Sequence, residues 1–294
     1  MSVIIAAYNA EATLGEQLEA LARQNTAFAW EVLVCDNGSS DGTADLVWRW
    51  QSRLPHLVLV DASDRRGASA ARNIGSSVAR APLLAFCDAD DVVADDWLQS
   101  LHDALGIWAL VGGAGEATRL GSARHASVSW SVDAVITKPY WPQFSAAASS
   151  NLGVRTDVFR RVGGFDEELR TGEDIDLCWR VQLAGESFAR CDGAVVHIRK
   201  RTGLVPVFRQ AFAYAVGDLQ LRRKHAEAIA AYQRSLVADP AVGSPAEPGD
   251  SGKRRGLWSR ARRIFRPDGR ADAAWRLGAW FGTHFGSPRS RLRA

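Results

Sequence analysis

The sequence Leu-Leu-Ala-Phe-Cys-Asp-Ala-Asp-Asp-Val-Val at residues 83–93 decides the expected fold. Its apolar half, which follows Pro82, is typical of a short strand buried on both faces of a parallel sheet, although periodicity alone also allows a buried helix segment. The end of such a strand would carry Asp88, Asp90 and Asp91 to the carboxyl edge of the sheet, where open α/β sheets bind ligands. The stretch therefore predicts a central strand and a ligand site together.

Three carboxylates this close in sequence repel one another unless water or a cation intervenes. Oxygen ligands at a strand end suit Mg²⁺ or Mn²⁺ that also holds phosphate groups, so one interpretation is a site for a metal ion and a diphosphate. The alternative is that these acids only cap a helix beginning near Asp95, which is a common role for aspartate. The stretch alone does not separate the two.

The composition is that of an ordinary globular protein: 294 residues, 47% hydrophobic and 23% charged. The start of the chain has no basic segment of a signal peptide, and no apolar run reaches the roughly 20 residues that a membrane span needs. No Cys-x-x-Cys pair occurs, so we expect reduced, buried thiols in a cytoplasmic protein. The four cysteines are Cys35, Cys87, Cys178 and Cys191.

The net charge of +3 is unevenly distributed. Residues 251–294 contain 12 Lys and Arg against 2 Asp, a net charge of +10, so the first 250 residues carry a net charge of −7. The basic residues alternate with Trp and Phe. The basic character of the protein therefore belongs to this tail.

Apolar runs alternate with helical patterns through the first 113 residues. Strands are expected at residues 3–7, 31–35, 57–60 and 83–87, with helices between them. After these elements we expect one more helix and then a strand at 107–113. Strand and helix in alternation indicate right-handed βαβ units in a parallel sheet. The predicted fold class is therefore α/β, with a nucleotide-binding first half.

The second half is less regular. The pattern weakens over residues 116–150 and returns with a short apolar run at 151–154, helices at 156–162 and from 173, and a closing strand at 194–197. Pro206 suits the first turn of a further helix. Residues 239–256, rich in Pro, Gly and Ser, have the composition of a linker.

Six short motifs resemble those of the family 2 glycosyltransferases, which have the GT-A fold. They are Val-Ile-Ile-Ala-Ala-Tyr-Asn at 3–9, Val-Cys-Asp-Asn-Gly-Ser-Ser-Asp-Gly-Thr at 34–43, Ala-Arg-Asn-Ile-Gly at 71–75, Asp-Ala-Asp-Asp at 88–91, Gly-Gly-Phe-Asp-Glu at 163–167 and Glu-Asp-Ile-Asp-Leu at 173–177. Each is a weak match alone, and their order and spacing carry the resemblance.

The resemblance implies a GT-A type fold with a mostly parallel central sheet. The glycosyltransferase domain would span residues 1–220, divided into a nucleotide-sugar-binding half at 1–113 and an acceptor-binding half at 114–220. A helical extension at 221–238, the linker at 239–256 and a basic amphipathic tail at 257–294 would follow.

The resemblance also assigns the donor site. Asp36 would hydrogen-bond the nucleotide base, with turn formation as its alternative role, and Arg72 would meet the diphosphate, with a surface ion pair as the alternative. The remaining donor-binding residues that it implies are Ala7, Tyr8, Asn9, Gly67 and Asp88.

A divalent cation, Mg²⁺ or Mn²⁺, is implied at the same edge. Asp90 would coordinate it, Asp88 would face the ribose or the metal, and His197 would complete the metal shell, although a histidine at a strand end is often only a polar cap. Such a cation would neutralise the departing nucleoside diphosphate.

Asp174 matches the position of the family's general base, with Glu173 beside it. Transfer with inversion needs a carboxylate that takes the proton of the acceptor hydroxyl. The alternative is that an acid in the first turn of a helix only interacts with the helix dipole.

The expected function is therefore metal-dependent, inverting transfer of a sugar from a UDP or dTDP sugar to a glycan or lipid-linked acceptor, as in cell-wall or polysaccharide synthesis. Trp179-Arg180 departs from the motif of processive synthases, which indicates addition of one or a few sugars. The alternative functions are those of a nucleotidyltransferase and of a non-catalytic nucleotide-sugar-binding protein.

For the tail we expect contact with an anionic membrane at its inner face, rather than nucleic-acid binding or a disordered basic segment.

Overall fold

Four strands and three helices alternate at the start of the chain in the computed structural model, which describes residues 1–120, 135–200, 203–238 and 267–286. Apolar faces of the helices pack on the sheet: Leu14, Leu18 and Leu21 of the first helix are fully buried. The elements are β1 (Ser2–Ala7), α1 (Leu14–Ala22), β2 (Glu31–Asp36), α2 (Thr43–Trp50), β3 (Leu57–Asp61), α3 (Ala68–Val78) and β4 (Leu83–Asp88).

The chain continues with six further strands, of two to ten residues, and three further helices. These elements are β5 (Val92–Val93), α4 (Trp97–Ile107), β6 (Leu110–Glu116), β7 (Ile136–Thr137), β8 (Ser145–Ala146), β9 (Asn151–Arg155), α5 (Thr156–Arg161), α6 (Glu173–Leu183) and β10 (Phe188–His197). The main sheet has the strand order β3-β2-β1-β4-β9-β6-β10-β5, and β7 pairs with β8 in a small second sheet.

The main sheet is mostly parallel. The pairs β1–β2, β2–β3, β1–β4 and β6–β10 are parallel, which brings the carboxyl ends of β1, β2 and β4 to one edge. The strand β9 runs antiparallel between β4 and β6, and β5 runs antiparallel to β10. The predicted fold class, α/β with a mostly parallel central sheet, is confirmed.

Helix α3 lies unusually close to the sheet because Gly75 has no side chain. A Cβ atom at this position would lie 2.4 Å from Sγ of Cys35 in β2 and 2.9 Å from Cγ2 of Ile4 in β1. The glycine of the Ala-Arg-Asn-Ile-Gly motif therefore sets the distance between α3 and the sheet, and this helix carries Arg72 to the sheet edge.

Two predicted strand boundaries were wrong. The strand expected at 107–113 begins at Leu110, because α4 continues through Ile107 and the chain turns only at Trp108. The strand expected at 194–197 is the end of the longer β10, whose register shifts between Cys191 and Val195. The helix expected near Asp95 begins at Trp97, as predicted. Because β5 lies between this helix and residues 88–91, the alternative that those acids cap it is wrong.

The described part of a second unit contains the helices α7 (Leu204–Lys224), α8 (Ala226–Ala238) and α9 (Pro267–Phe285), together with residues 138–142. Residues 138–142 are held to α7 by Asp218, whose carboxylate accepts hydrogen bonds from Lys138 and from the Tyr140 hydroxyl, each at 2.9 Å. The predicted linker at 239–256 lies outside the described residues, as does the tail except for α9. Among the helices described, none combines the length and apolar character of a membrane span.

Candidate active site

The carboxylates that follow β4 form a cluster of potential metal ligands. One oxygen each from Asp88, Asp90 and Asp91 lie within 4.8 Å of one another, and no other such group occurs in the described part of the chain. Burial and, to a smaller extent, the neighbouring Asp88 raise the pKa of Asp91 to about 8, against the opposing effect of the backbone N–H of Arg199. A divalent cation would relieve this crowding of acids, so the residues fit the oxygen-ligand site of a hard metal ion.

Two side chains from distant elements hold the backbone of this cluster. The buried Gln17 of α1 donates to the carbonyl of Asp88 at 3.2 Å and accepts from the N–H of Val93 at 3.0 Å. Arg199, just after β10, donates its backbone N–H to Asp91 at 2.8 Å and its Nε to the carbonyl of Asp90 at 2.9 Å. Both ends of the acidic loop are therefore fixed.

Arg72 joins the acidic loop to helix α6. Its Nη2 donates to Oδ1 of Asp88 at 2.7 Å and its Nη1 to Oε1 of Glu173 at 3.3 Å. The side chain is only 5% exposed, and its Nε has no hydrogen-bond partner. The surface ion pair considered for Arg72 is therefore wrong, because the pair is buried, and both terminal nitrogens already contact carboxylates.

Glu173 and Asp174 occupy the first turn of α6. Burial and the neighbouring Asp174 together raise the pKa of Glu173 to about 7, although Arg72 opposes the shift. Burial also raises the pKa of Asp174, although its carboxylate accepts hydrogen bonds from the N–H groups of Ile175 at 2.8 Å and Ser149 at 3.2 Å. Two acids with raised pKa values therefore lie beside the buried guanidinium of Arg72, a pattern typical of proton-transfer sites.

The motif at residues 163–167 is tied to α3. Asn73 accepts a hydrogen bond from the N–H of Phe165 at 2.9 Å and donates to its carbonyl at 2.8 Å. From α6, Arg180 donates to the carbonyls of Val162 and Gly164 at 2.5 and 2.6 Å. These hydrogen bonds connect α3, the loop and α6. They therefore position the first turn of α6 next to Arg72.

The loops after β1 and β2 are linked by side-chain hydrogen bonds. Asn9 has a φ of 49°, a left-handed conformation that asparagine tolerates, and its Oδ1 accepts from the N–H of Ser40 at 2.8 Å. The Asp36 carboxylate accepts from the N–H of Ser39 at 3.0 Å, so it does form the turn. Ala7 is buried, whereas Tyr8 is 61% exposed above this edge.

Asn37 organises the loop that leads into α3. Its Nδ2 donates to the carbonyls of Ala62 and Arg65 at 2.5 and 2.7 Å, and its Oδ1 accepts from the N–H of Gly67 at 2.7 Å. Gly67 has a φ of 122°, which favours glycine. The sequence analysis assigned no role to Asn37.

His197 ends β10 opposite Val92, beside the acidic loop, but it is not part of the carboxylate cluster. Its Nδ1 lies 2.8 Å from Glu116 and its Nε2 lies 3.0 Å from Nη1 of Arg119. A guanidinium only donates, so Nε2 must be the acceptor and Nδ1 must carry the proton. His197 therefore has an Nε2 lone pair, which Arg119 occupies.

The structure thus brings most of the candidate residues to one edge of the sheet. It adds Gln17, Arg199, Glu116 and Asn37, which were absent from the predicted site. Nothing local in the sequence marks Gln17 or Arg199, because their roles depend on contacts with residues that are 76 and 108 positions away.

Comparison with known proteins points to the same class as the motifs. Residues 2–114 match the sequence model of Glycosyl transferase family 2. This part of the chain is therefore similar to that family, as the motifs predicted.

Individual relatives match different shares of the chain. It is 32% identical over 191 residues to Glycosyltransferase AglE of Haloferax volcanii, covering 64% of this chain and 62% of that protein. It is 35% identical over 92 residues to UDP-Glc:alpha-D-GlcNAc-diphosphoundecaprenol beta-1,3-glucosyltransferase WfgD of Escherichia coli, covering 31% of this chain and 35% of that protein. The chain thus matches less than two thirds of the length of either relative.

A solved structure supports the fold over nearly the whole chain. The mannosyltransferase PcManGT from Pyrobaculum calidifontis, in complex with GDP-Man and Mn²⁺, superposes with a TM-score of 0.65 at 20% sequence identity. The match covers 96% of this chain and 86% of that protein. The GT-A type of the fold is thereby confirmed.

Proposed function

We propose that the protein transfers a sugar, with inversion, from a UDP or dTDP sugar to a glycan or lipid-linked acceptor, and that it requires Mg²⁺ or Mn²⁺. The observation that carries the proposal is the bridge formed by Arg72. Because one guanidinium contacts both Asp88 and Glu173, the acids after β4 and the acids that begin α6 lie in a single site. A transferase needs its donor-side and base-side groups in such proximity.

The proposed donor site is the edge formed by the loops after β1, β2 and β4. Asp36 has a second carboxylate oxygen besides the one that forms the turn, and this oxygen would accept the ring N–H of uracil or thymine. The exposed Tyr8 would pack on the base beside Ala7 and Asn9. Gly67, whose Cβ position is empty, allows the donor to approach the backbone of the loop.

Asp88 and Asp90 would hold the metal ion, with His197 as a third ligand through Nε2 once Arg119 moves away. A cation bound there supplies Lewis-acid neutralisation of the leaving diphosphate. Arg72 would act mainly through Asp88 and Glu173, because its two terminal nitrogens are already occupied.

Asp174 would take the proton of the acceptor hydroxyl. As the acceptor oxygen bonds to the anomeric carbon from the far side, the bond to the diphosphate breaks and the nucleoside diphosphate leaves with the electron pair. A raised pKa suits this role, because a base works best when its pKa lies close to the working pH. Glu173 would hold Arg72 in place beside it.

For the acceptor we propose a lipid-linked glycan at the inner face of a membrane. The relative WfgD is named for a diphosphoundecaprenol-linked substrate, and the tail of this chain is basic and aromatic. The sequence of the relative is matched over only a third of its length, so the proposal needs a direct test.

The test is a panel of nucleotide sugars screened by thermal shift with and without Mn²⁺, followed by product analysis. A donor present at about 100 times its Kd raises stability by about 2.7 kcal/mol, enough for a clear increase in Tm. We expect a shift with UDP or dTDP sugars that depends on Mn²⁺. The proposal fails if no nucleotide sugar produces a shift. It also fails if nucleoside triphosphates are consumed with release of pyrophosphate, or if a bound donor is never cleaved.

A further inference from the structure

Helix α9 turns its smallest residues inward. Gly278 and Gly282 are buried against α7, where a Cβ on Gly278 would lie 2.3 Å from the carbonyl oxygen of Phe208. A Cβ on Gly282 would lie 2.6 Å from the carbonyl oxygen of Phe212. Neither position has room for a side chain, so the two helices meet through their backbones.

Apart from Trp275, whose ring contacts Tyr214 of α7, the large apolar residues of α9 are exposed. We call this surface the aromatic face; its members are 40–68% exposed and comprise Leu277, Trp280, Phe281 and Phe285. The ring centroid of Trp280 lies 5.0 Å from that of Phe281 and 5.6 Å from that of Phe285, so the rings form one continuous patch. An ordinary surface helix has the opposite arrangement, with its large apolar residues buried. Continuous exposed apolar patches mark sites of interaction.

Basic residues flank helix α9 on both sides in the sequence. Residues 251–266 contain 7 Lys and Arg and no acid, and residues 287–294 contain 3 Arg and no acid. On the helix itself, Arg276 is exposed. A protein partner for such a patch would have to be both apolar and strongly acidic. An anionic membrane offers both properties, because headgroup charge lies directly above the acyl chains, and Trp is favoured at that boundary.

We propose that the aromatic face of α9 inserts into the headgroup region of an anionic membrane, with the basic flanking segments contacting lipid phosphates. The backbone contact at the two glycines anchors α9 to α7. Trp275 and Phe281 also contact aromatic rings of α7, whereas Leu277, Trp280 and Phe285 are 49–68% exposed. This surface would bring the enzyme to the membrane-linked acceptor proposed above, and only that biological purpose rests on the proposed function. The contacts that support membrane binding all lie within the second unit.

The experiment measures co-sedimentation of the full chain with vesicles of phosphatidylcholine, alone or mixed with phosphatidylglycerol. We expect binding to the mixed vesicles that weakens as salt is added. In the double variant Trp280→Ser, Phe285→Ser the partition coefficient should fall about tenfold or more, since about 1.4 kcal/mol of lost apolar transfer corresponds to that factor. Trp280→Phe, which keeps an aromatic ring, should retain binding.

The matched control is Trp48→Ser on α2, which removes an equally exposed tryptophan (57%) from the first unit. It should bind vesicles as the unaltered protein does, and circular dichroism should show that each variant keeps its helices. The inference is overturned if the double variant binds mixed vesicles normally, or if binding does not depend on phosphatidylglycerol. It is also overturned if analytical ultracentrifugation shows that the face joins two copies of the chain. The vesicle experiment uses no nucleotide sugar and no metal ion. Its result therefore does not depend on whether the protein transfers a sugar.

Discussion

Arg72 and Glu173 lie 101 residues apart in the sequence, yet Nη1 of Arg72 is 3.3 Å from a carboxylate oxygen of Glu173 in a buried contact. The same guanidinium contacts Asp88, so one cation stabilises negative charge contributed by two separate parts of the chain. Removing either charge would leave the others incompletely paired in a place with little solvent.

The first prediction concerns pH. The pKa of Glu173 is about 7 in the folded protein and 4.5 ordinarily, because burial and Asp174 outweigh Arg72. Between these values the folded state retains a proton that the unfolded state releases, so stability falls as pH rises from 4.5 to about 7. Denaturant unfolding should therefore show that Glu173→Gln gains stability relative to the unaltered protein across this window, with a constant difference above it. Parallel curves for the two proteins would contradict the prediction, and the exposed Glu168→Gln serves as control.

The second prediction concerns the metal ion. Asp90→Ala should weaken Mn²⁺ binding by more than about 100-fold, because loss of a residue that only supports a metal ligand typically costs about 10–100-fold in affinity. Isothermal titration calorimetry measures this affinity. The control is Asp95→Ala, an exposed acid nearby that pairs with Arg23. If Asp90→Ala binds Mn²⁺ as tightly as Asp95→Ala does, Asp90 is not a ligand.

The third prediction separates binding from chemistry. Asp174→Asn should lower kcat by about 10²–10⁴, the contribution of a general base, while the Kd for the donor stays unchanged. Rapid-quench transfer assays and donor titrations measure the two quantities. The exposed Asp157→Asn in the first turn of α5 is the control. An unaltered kcat in Asp174→Asn would remove this residue from the mechanism.

The fourth prediction concerns the tautomer of His197. Glu116 accepts its Nδ1 proton, and hydrogen bonds from Thr118 and His197 outweigh burial in lowering the pKa of Glu116 to about 2. Carboxylates in this position support metal-binding histidines, so Glu116→Gln should lower Mn²⁺ affinity by about 10–100-fold. Titration calorimetry compares it with Glu227→Gln on α8. If neither Glu116→Gln nor His197→Ala changes the affinity, the metal site consists of carboxylates without His197.

The fifth prediction compares two glycines. Gly75→Ala should destabilise the protein by about 1–3 kcal/mol, because the added methyl group would overlap Cys35 and Ile4. Gly106→Ala, near the end of α4, meets nothing within 4 Å and should stabilise it by up to about 1 kcal/mol. Midpoints of urea unfolding measure both. Equal effects of the two substitutions would mean that α3 can move away from the sheet at no cost.

Much of the fold follows from local patterns. The strands β1 to β4 were predicted within one residue, and a helix was expected between each pair of them, because buried strands and amphipathic helices have distinct periods. Boundaries failed at α4 and β6, where one apolar run belongs partly to a helix and partly to a strand. The antiparallel insertion of β9 between β4 and β6 was not predicted, because a single strand carries no record of its partners.

The candidate site shows the same division. The acids, the glycines and Asn73 stand in recognisable motifs, so their importance was visible before any coordinates. The burial of Arg72, the pairing of His197 with Glu116 and the support from Gln17 and Arg199 were not visible. Each of them depends on a contact between residues far apart in the chain.

The α/β class, the resemblance to family 2 glycosyltransferases and the residue types at the site follow from the sequence alone, because these depend on short-range patterns and on motif spacing. Which charges neutralise one another, and which face of α9 is exposed, became visible only once the elements were seen packed together. Burial and long-range pairing arise when elements pack together, and packing sets both the electrostatic environment of Arg72, Glu173 and Asp174 and the outward direction of the α9 aromatic residues.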